Sequence, residues 1–356
     1  MIDPRWRDLA EILVGYSTEV RSGDRVTIAM VEPESFPAAL AVYEAALAAG
    51  AEPHVHFASA WLERALLRHG RENLIGRPAP LERRMLEWAD VYIGLRGARN
   101  PHEFAGIAPE RIAAYRRAMG ELSALRTERT RWVLVRLPNE AFAAAAGLPL
   151  DETWSGFWRS VLRSWAEDAV RWRSMAAALA GARQVRLRGT GTDLAFSVAG
   201  RRWVVGDGKI NLPDGEIYTA PVEDSADGVI SFDQSASWAG QTIAAIRLVF
   251  RAGEVIEASA ARGEALLRQA LALDAGARRL GEFGIGVNDG IDRFTGDVLI
   301  DEKIAGTIHL ALGRSYADCG GRNQSALHWD IVKDMRQDGA IEIDGRPIFA
   351  HGAFLI

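Results

Sequence analysis

Four short apolar runs, each set between stretches of helical spacing, constrain the fold of this chain more than any other feature. They are Val26-Thr27-Ile28-Ala29-Met30, Pro53-His54-Val55-His56-Phe57, Val91-Tyr92-Ile93-Gly94-Leu95 and Trp132-Val133-Leu134-Val135. Runs of this size are strands, and strands alternating with helices build βαβ units around a mostly parallel sheet. The helical stretches fit that frame. Residues 5–21 place Leu9, Ile12, Leu13 and Tyr16 on one face, and an Ala/Leu-rich helix from Phe36 stops at Gly50. A long helix over roughly 158–181, carrying Trp158, Leu162, Trp165, Val170 and Met175, is expected to close this half, with core packing as the use of its tryptophans.

From Gln184 the pattern changes. Short strands separated by glycine turns follow one another, with one clear helix near 261–274. The expected class is α/β: an N-terminal α/β domain with a mostly parallel sheet over residues 1–183, and a C-terminal β-rich α+β domain over 184–356. A length of 356 residues agrees with about two domains. A hydrophobic fraction of 48% is enough for an ordinary core.

The formal charge of -5 gives no electrostatic reason to expect a nucleic-acid partner, which would need a clustered basic face. No stretch reaches the roughly 18 uninterrupted apolar residues of a membrane helix, and Asp8 and Glu11 interrupt the N-terminal apolar run. The single cysteine, Cys319, excludes an internal disulfide and a CxxC zinc site, which makes cytoplasmic the economical location.

Several eye-catching motifs carry bland readings. Gly189-Thr190-Gly191 lacks the third glycine and the following helix of a dinucleotide fingerprint, so it reads as a tight turn between strands. His54 and His56 share one face of a strand, but no carboxylate cluster accompanies them in that half, so they read as structural. His69, His102 and His351 are isolated, and Cys319 has no activating histidine beside it.

Four segments of the C-terminal half concentrate metal-binding chemistry. In the first, Glu216 follows a Pro-Asp-Gly turn and opens a short strand. In the second, Glu282, Gly284 and Gly286 share a strand face, which leaves room beside the carboxylate for an ion or substrate. In the third, His309 lies in an otherwise apolar strand downstream of Glu302. In the fourth, His328 and Asp330 stand two apart and project the same way, with Trp329 opposite. Two histidines with three or four carboxylates suit zinc, cobalt or manganese, and bridging carboxylates would accommodate two such ions.

The segments "GTGTDLAFSVAGRRW", "NLPDGEIYTAP", "LGEFGIGVN", "DEKIAGTIHLALG" and "NQSALHWDI", in this order, resemble peptidase family M29, the aminopeptidase T group. "SGDRVTIAM" and "IGLRGARNPHEF" extend the resemblance more loosely into the N-terminal half. The resemblance implies Glu216, Glu282, His309, His328 and Asp330 as ligands of a two-metal centre, with Glu282 bridging. Glu302 matches an acidic position at or near the metals, open between ligand and general base. Lys303 follows it where better-known members carry asparagine. Tyr316 matches a tyrosine placed close to the scissile carbonyl. The implied activity is removal of the N-terminal residue from short peptides by a water activated between the ions, in a homodimer that encloses a chamber. Two alternatives accompany this reading: an iron-dependent ring-cleaving dioxygenase of the dihydroxypyridine type on the same scaffold, and a metal-binding protein without turnover.

Overall fold

The computed structural model describes residues 3–97, 100, 102–350 and 352–356. His351 and part of the "IGLRGARNPHEF" segment lie outside them. The chain forms two compact units, one of Met1–Trp165 with Gly208–Pro213, the other of Ala166–Asp207 with Asp214–Ile356. The sequence reading sets its boundary near 183. The chain instead leaves the first unit after Trp165 and returns once, because Asn211–Leu212 adds to that unit's sheet by parallel pairing with Leu134 and Val135.

The first unit is built on a five-stranded parallel sheet. Its order is Glu52–Ala58, Arg25–Val31, Val91–Arg96, Arg131–Arg136, Asn211–Leu212. Val26, Ile28, Val91, Ile93, Leu95, Val133 and Val135 are fully buried along its central strands. Burial of each such side chain contributes about 1.5–3 kcal/mol. Two expected helices differ in detail. The first runs as an α-helix over Arg5–Glu11 and then widens into a π-helical turn over Ile12–Ser17. The wider turn shifts the phase, so Leu13 and Val14 are buried while Ile12 and Tyr16 are half-buried.

The expected helix over 158–181 is two helices, Leu150–Val161 and Trp165–Ala178. Leu162 turns out of helical conformation at ψ 80, and the Trp165 indole donates to the Val161 carbonyl at 2.8 Å. A side chain thus takes an acceptor at the end of the first helix that a continuing backbone would have used. Trp158 packs edge-on against Trp6 at 4.8 Å and is buried, the core role expected of it.

The second unit holds a nine-stranded sheet with antiparallel pairing and a five-stranded antiparallel sheet. The smaller one runs His328–Asp334, Thr307–Gly313, Leu280–Gly286, Glu216–Thr219, Val204–Gly206. Gly189-Thr190-Gly191 is the turn between strands Gln184–Gly189 and Thr192–Ser197, and the expected helix near 261–274 runs Glu264–Leu271. Parallel and antiparallel sheets in one chain, as expected, give a mixed α/β architecture. Among the described residues, no helix is long and apolar enough to cross a membrane.

Candidate metal centre

Cross-strand register in the five-stranded sheet brings the candidate residues to one face. Gly286 pairs with Glu216, and Gly284 pairs with both Tyr218 and His309. Ala311 pairs with Glu282 on one side and Asp330 on the other, and Gly313 pairs with His328. Directly paired residues of an antiparallel sheet project the same way. Glu216, Tyr218, Glu282, His309, His328 and Asp330 therefore share a face. The opposite face carries Ile217, Phe283, Ile285, Ile308, Leu310, Leu312, Trp329 and Ile331, all buried. The apolar layer fixes the register, since a slip by one residue would turn every charged group into the core.

The glycines of Leu280–Gly286 have a different purpose from the one read in the sequence. They do not leave space for an ion or substrate. A Cβ at Gly284 would lie 2.0 Å from Cε1 and 2.2 Å from Nε2 of His309, and one at Gly286 would lie 2.1 Å from the Ile304 carbonyl oxygen. The emptied face is filled by the imidazole and by the turn that carries Glu302. Gly215 serves the same end for Glu216: its φ of +122° and its approach to Asn288 and Trp172 exclude a side chain.

Glu302 is not on the sheet. It follows the short helix Val298–Asp301, whose first turn is capped by the Asp297 carboxylate accepting from the Leu299 amide. The next turn is clamped by backbone bonds from the Asn288 amide to the Lys303 carbonyl at 2.9 Å and from the Ala305 amide to the Asn288 carbonyl at 3.1 Å. This delivers Glu302 and Lys303 onto the sheet face, both buried. Lys303 Nζ stands 2.5 Å from Glu216 Oε1, 2.8 Å from Glu302 Oε1 and 3.9 Å from Asp214 Oδ1. In the sequence, Lys303 stands out only as the residue after Glu302. Its signal was a lysine ahead of an apolar strand, which from sequence alone reads equally as a surface residue.

Two groups of three result, Glu216 with Glu302 and His309, and Glu282 with His328 and Asp330. Within each, one donor atom per residue lies within 4.8 Å of the others. Glu282 joins them, with Oε1 at 3.2 Å from His309 Nε2 and Oε2 at 3.7 Å from His328 Nε2. His328 Nε2 also lies 3.3 Å from Asp330 Oδ2, and its Nδ1 is 2.8 Å from the Arg314 carbonyl. With Nδ1 as donor there, Nε2 is left as the free lone pair, the usual second-shell orientation of a ligating imidazole. Tyr316 Oη lies 3.3 Å from the same Nε2. Neither His54 nor His56 belongs to such a group among the described residues. Cys319 is a buried free thiol, raised above its ordinary value first by burial.

The electrostatics report a shortage of positive charge. Burial pushes the Glu282 carboxyl up and, with Glu216 and Asp330 as further contributors against the Lys303 ammonium, raises Glu302 to about 8. Burial works against protonation of the histidines, but the Glu282 hydrogen bond and surrounding carboxylates bring His309 to about 10, and Asp330 brings His328 to about 9. Five carboxylates, those of Asp214, Glu216, Glu282, Glu302 and Asp330, surround one ammonium. The donor set passes a second test: Glu216 Oε2 and Asp330 Oδ1 are buried without a hydrogen-bond partner. Orphaned buried acceptors are costly, and divalent ions among oxygen and nitrogen donors relieve both the charge and the missing partners. The residues fit a metal.

A family model described as thermophilic metalloprotease (M29) matches residues 2–354. The chain belongs to that family. Aminopeptidase T of Thermus aquaticus is 28% identical over 72% of this chain and 74% of its own length. Among solved structures, AmpT of Thermus thermophilus superimposes with a TM-score of 0.86 at 24% identity, covering 99% of both chains. The 2,5-dihydroxypyridine dioxygenase of Pseudomonas putida KT2440 is similar at a TM-score of 0.60 and 15% identity, over 99% of this chain and 96% of that one. That likeness is one of fold alone. The expectation of a metal-dependent peptide-bond hydrolase of the M29 aminopeptidase kind is met.

Proposed function

We propose that this M29 enzyme removes single N-terminal residues from short peptides at the centre formed by Glu216, Glu282, Glu302, His309, His328 and Asp330. The observation that carries the reading is the Glu282 carboxylate, whose two oxygens face one histidine from each group. When bound, divalent zinc, cobalt or manganese supplies Lewis acidity, which lowers the pKa of water and polarises a carbonyl.

The chain's own groups do the rest. The apolar layer beneath the sheet and the clamped turn around Lys303 hold the carboxylates and imidazoles in fixed positions before substrate arrives, so little reorganisation is needed during reaction. The carboxyl of Glu302 accepts the proton lost by the attacking water and returns it to the leaving amine. In that step the water oxygen bonds to the peptide carbon and the C–N bond breaks. Tyr316 Oη, next to His328, donates a hydrogen bond to the carbonyl oxygen as it becomes negative. A peptide's free amine suits a centre rich in carboxylates, which favours cleavage after the first residue.

A panel of aminoacyl-p-nitroanilides with added cobalt, zinc or manganese tests the activity, alongside oxygen uptake with iron(II). Metal-dependent p-nitroaniline release that Glu282→Gln abolishes together with metal occupancy supports the reading. Near-normal turnover in Glu282→Gln, or oxygen consumption with ring cleavage, would overturn it. The homodimer expected from the family resemblance belongs to the same proposal, and sedimentation velocity of the purified chain checks it.

A further inference from the structure

The first unit contains a cavity of about 490 Å³ that shares no residue with the metal centre. It lies on one face of the parallel sheet, toward the carboxyl ends of Arg25–Val31, Glu52–Ala58 and Val91–Arg96. The strand order reverses between the first and third of these, and open α/β sheets bind ligands at such a reversal. Small residues make the room: Ala29 pairs with both His56 and Gly94, and Ala58 follows on the same face. Tyr92 leans over Gly94, where a Cβ would lie 3.0 Å from the ring's Cε1. Another wall is the helix Pro109–Arg129, which presents Tyr115, Met119, Leu122 and Arg126 at the spacing of one helical face. That face offers a hydroxyl, two apolar groups and a guanidinium over three turns, about 16 Å of axial rise.

The ends of this cavity carry opposite charges. Glu63 accepts a hydrogen bond from the Tyr115 hydroxyl and lies near Glu82 and Glu32, and burial raises its carboxyl above the ordinary range. The guanidinium carbon of Arg126 stands 5.3 Å from the Tyr92 ring centre and 4.4 Å from that of Trp132, and Nε is buried without a partner. Among the described residues, no cation pairs with Glu63 and no carboxylate pairs with Arg126. Half-buried charges left unpaired are costly, and a guest with the complementary charges removes the cost at both ends. The geometry points to a binding site for a short peptide with both termini free: its ammonium meets Glu63 and Tyr115, its carboxylate meets Arg126, and its apolar side chains pack on Leu62, Leu66 and Met119. A guanidinium suits a carboxylate because its parallel N–H groups match the two oxygens. A free amino acid carries both charges on one carbon and is too short to bridge the ends. A chain extending about 3.3 Å per residue covers the distance with a few residues. The site stands on this lining alone, independently of the metal centre.

The test uses the full chain with Glu282→Gln, expected above to be inactive, so that a peptide outlasts the measurement. In calorimetric titrations Leu-Gly-Gly is expected to bind. Leucine, N-acetyl-Leu-Gly-Gly and Leu-Gly-Gly-amide should each bind at least about tenfold more weakly, the worth of a hydrogen bond to a charged group. Arg126→Met and Glu63→Gln, added to the same chain, should impose a similar loss with an unchanged circular dichroism spectrum. A diazirine analogue, photoleucine-Gly-Gly, localises the site. After irradiation, mass spectrometry is expected to find whole-tripeptide adducts on the segments that carry Leu62, Leu66 or Met119. This arm leaves the cavity unaltered, so it decides the matter even if the Arg126 and Glu63 variants do not fold. Adducts confined to the strands of the metal centre, absence of binding, equal affinity for leucine or the amidated peptide, or undiminished binding in both variants would overturn the site. None of these outcomes bears on metal-dependent hydrolysis, which the chromogenic panel reads separately.

Discussion

Replacing Gly284 with alanine tests the construction of the centre without touching a charged group. The added methyl would lie 2.0 Å from His309 Cε1, against 3.4 Å for ordinary contact, so the imidazole must move by about 1.4 Å or the strands must part. The strand Leu280–Gly286 is buried throughout and paired on both sides, which leaves the backbone little freedom to yield. Overpacking of this kind costs about 1–3 kcal/mol of stability. The functional cost is larger. Metal–ligand distances tolerate about 0.2 Å, and a misplacement near 1 Å lowers rates about 100-fold. Gly284→Ala is therefore expected to fold with a lowered melting temperature and to lose about 100-fold in kcat on an aminoacyl-p-nitroanilide. The loss of ion from the His309 group should accompany it. A variant with wild-type turnover and wild-type metal content would refute the claim that Gly284 exists to seat His309.

Three further outcomes follow from the same structure. Tyr316→Phe should lower kcat about 100-fold with metal content and KM changed less than about twofold, because only a donor to the developing oxyanion is removed; stopped and continuous chromogenic assays read both. Treatment with EDTA should abolish hydrolysis and lower the melting temperature, and cobalt, zinc or manganese should restore both, since a ligand that binds only the folded state stabilises it. Trp158→Ala should destabilise the protein by about 3–5 kcal/mol in urea titrations, because the indole is buried and edge-packed on Trp6.

Four strands of the parallel sheet were legible because they are short, mostly apolar runs spaced by helices; the fifth, Asn211–Leu212, was not, being two residues that join from beyond the first unit. Val26–Met30 and Val91–Leu95 could not satisfy their apolar side chains in any exposed setting. The break at Leu162 was not legible. No proline or glycine marks it, and it depends on the Trp165 indole reaching Val161, a contact that periodicity does not encode. Within the candidate centre, His328 and Asp330 were readable from period-two spacing and Glu216 from the turn before it. The glycines at 284 and 286 were read as emptiness when they are contact points, because the sequence shows a missing side chain and not what fills its place. The ammonium of Lys303 was the larger omission. Its partners Glu216 and Glu302 lie far apart in the chain, and only the clamped turn at Asn288 brings all three together.

The most direct measurement is a crystal structure of the zinc-loaded enzyme with anomalous data collected at the zinc edge. The account predicts an anomalous peak about 2.0–2.2 Å from donor atoms of Glu282, His328 and Asp330, with any second peak among Glu216, Glu302 and His309. A map without a peak at Glu282, His328 and Asp330, or with zinc bound only elsewhere, would contradict it.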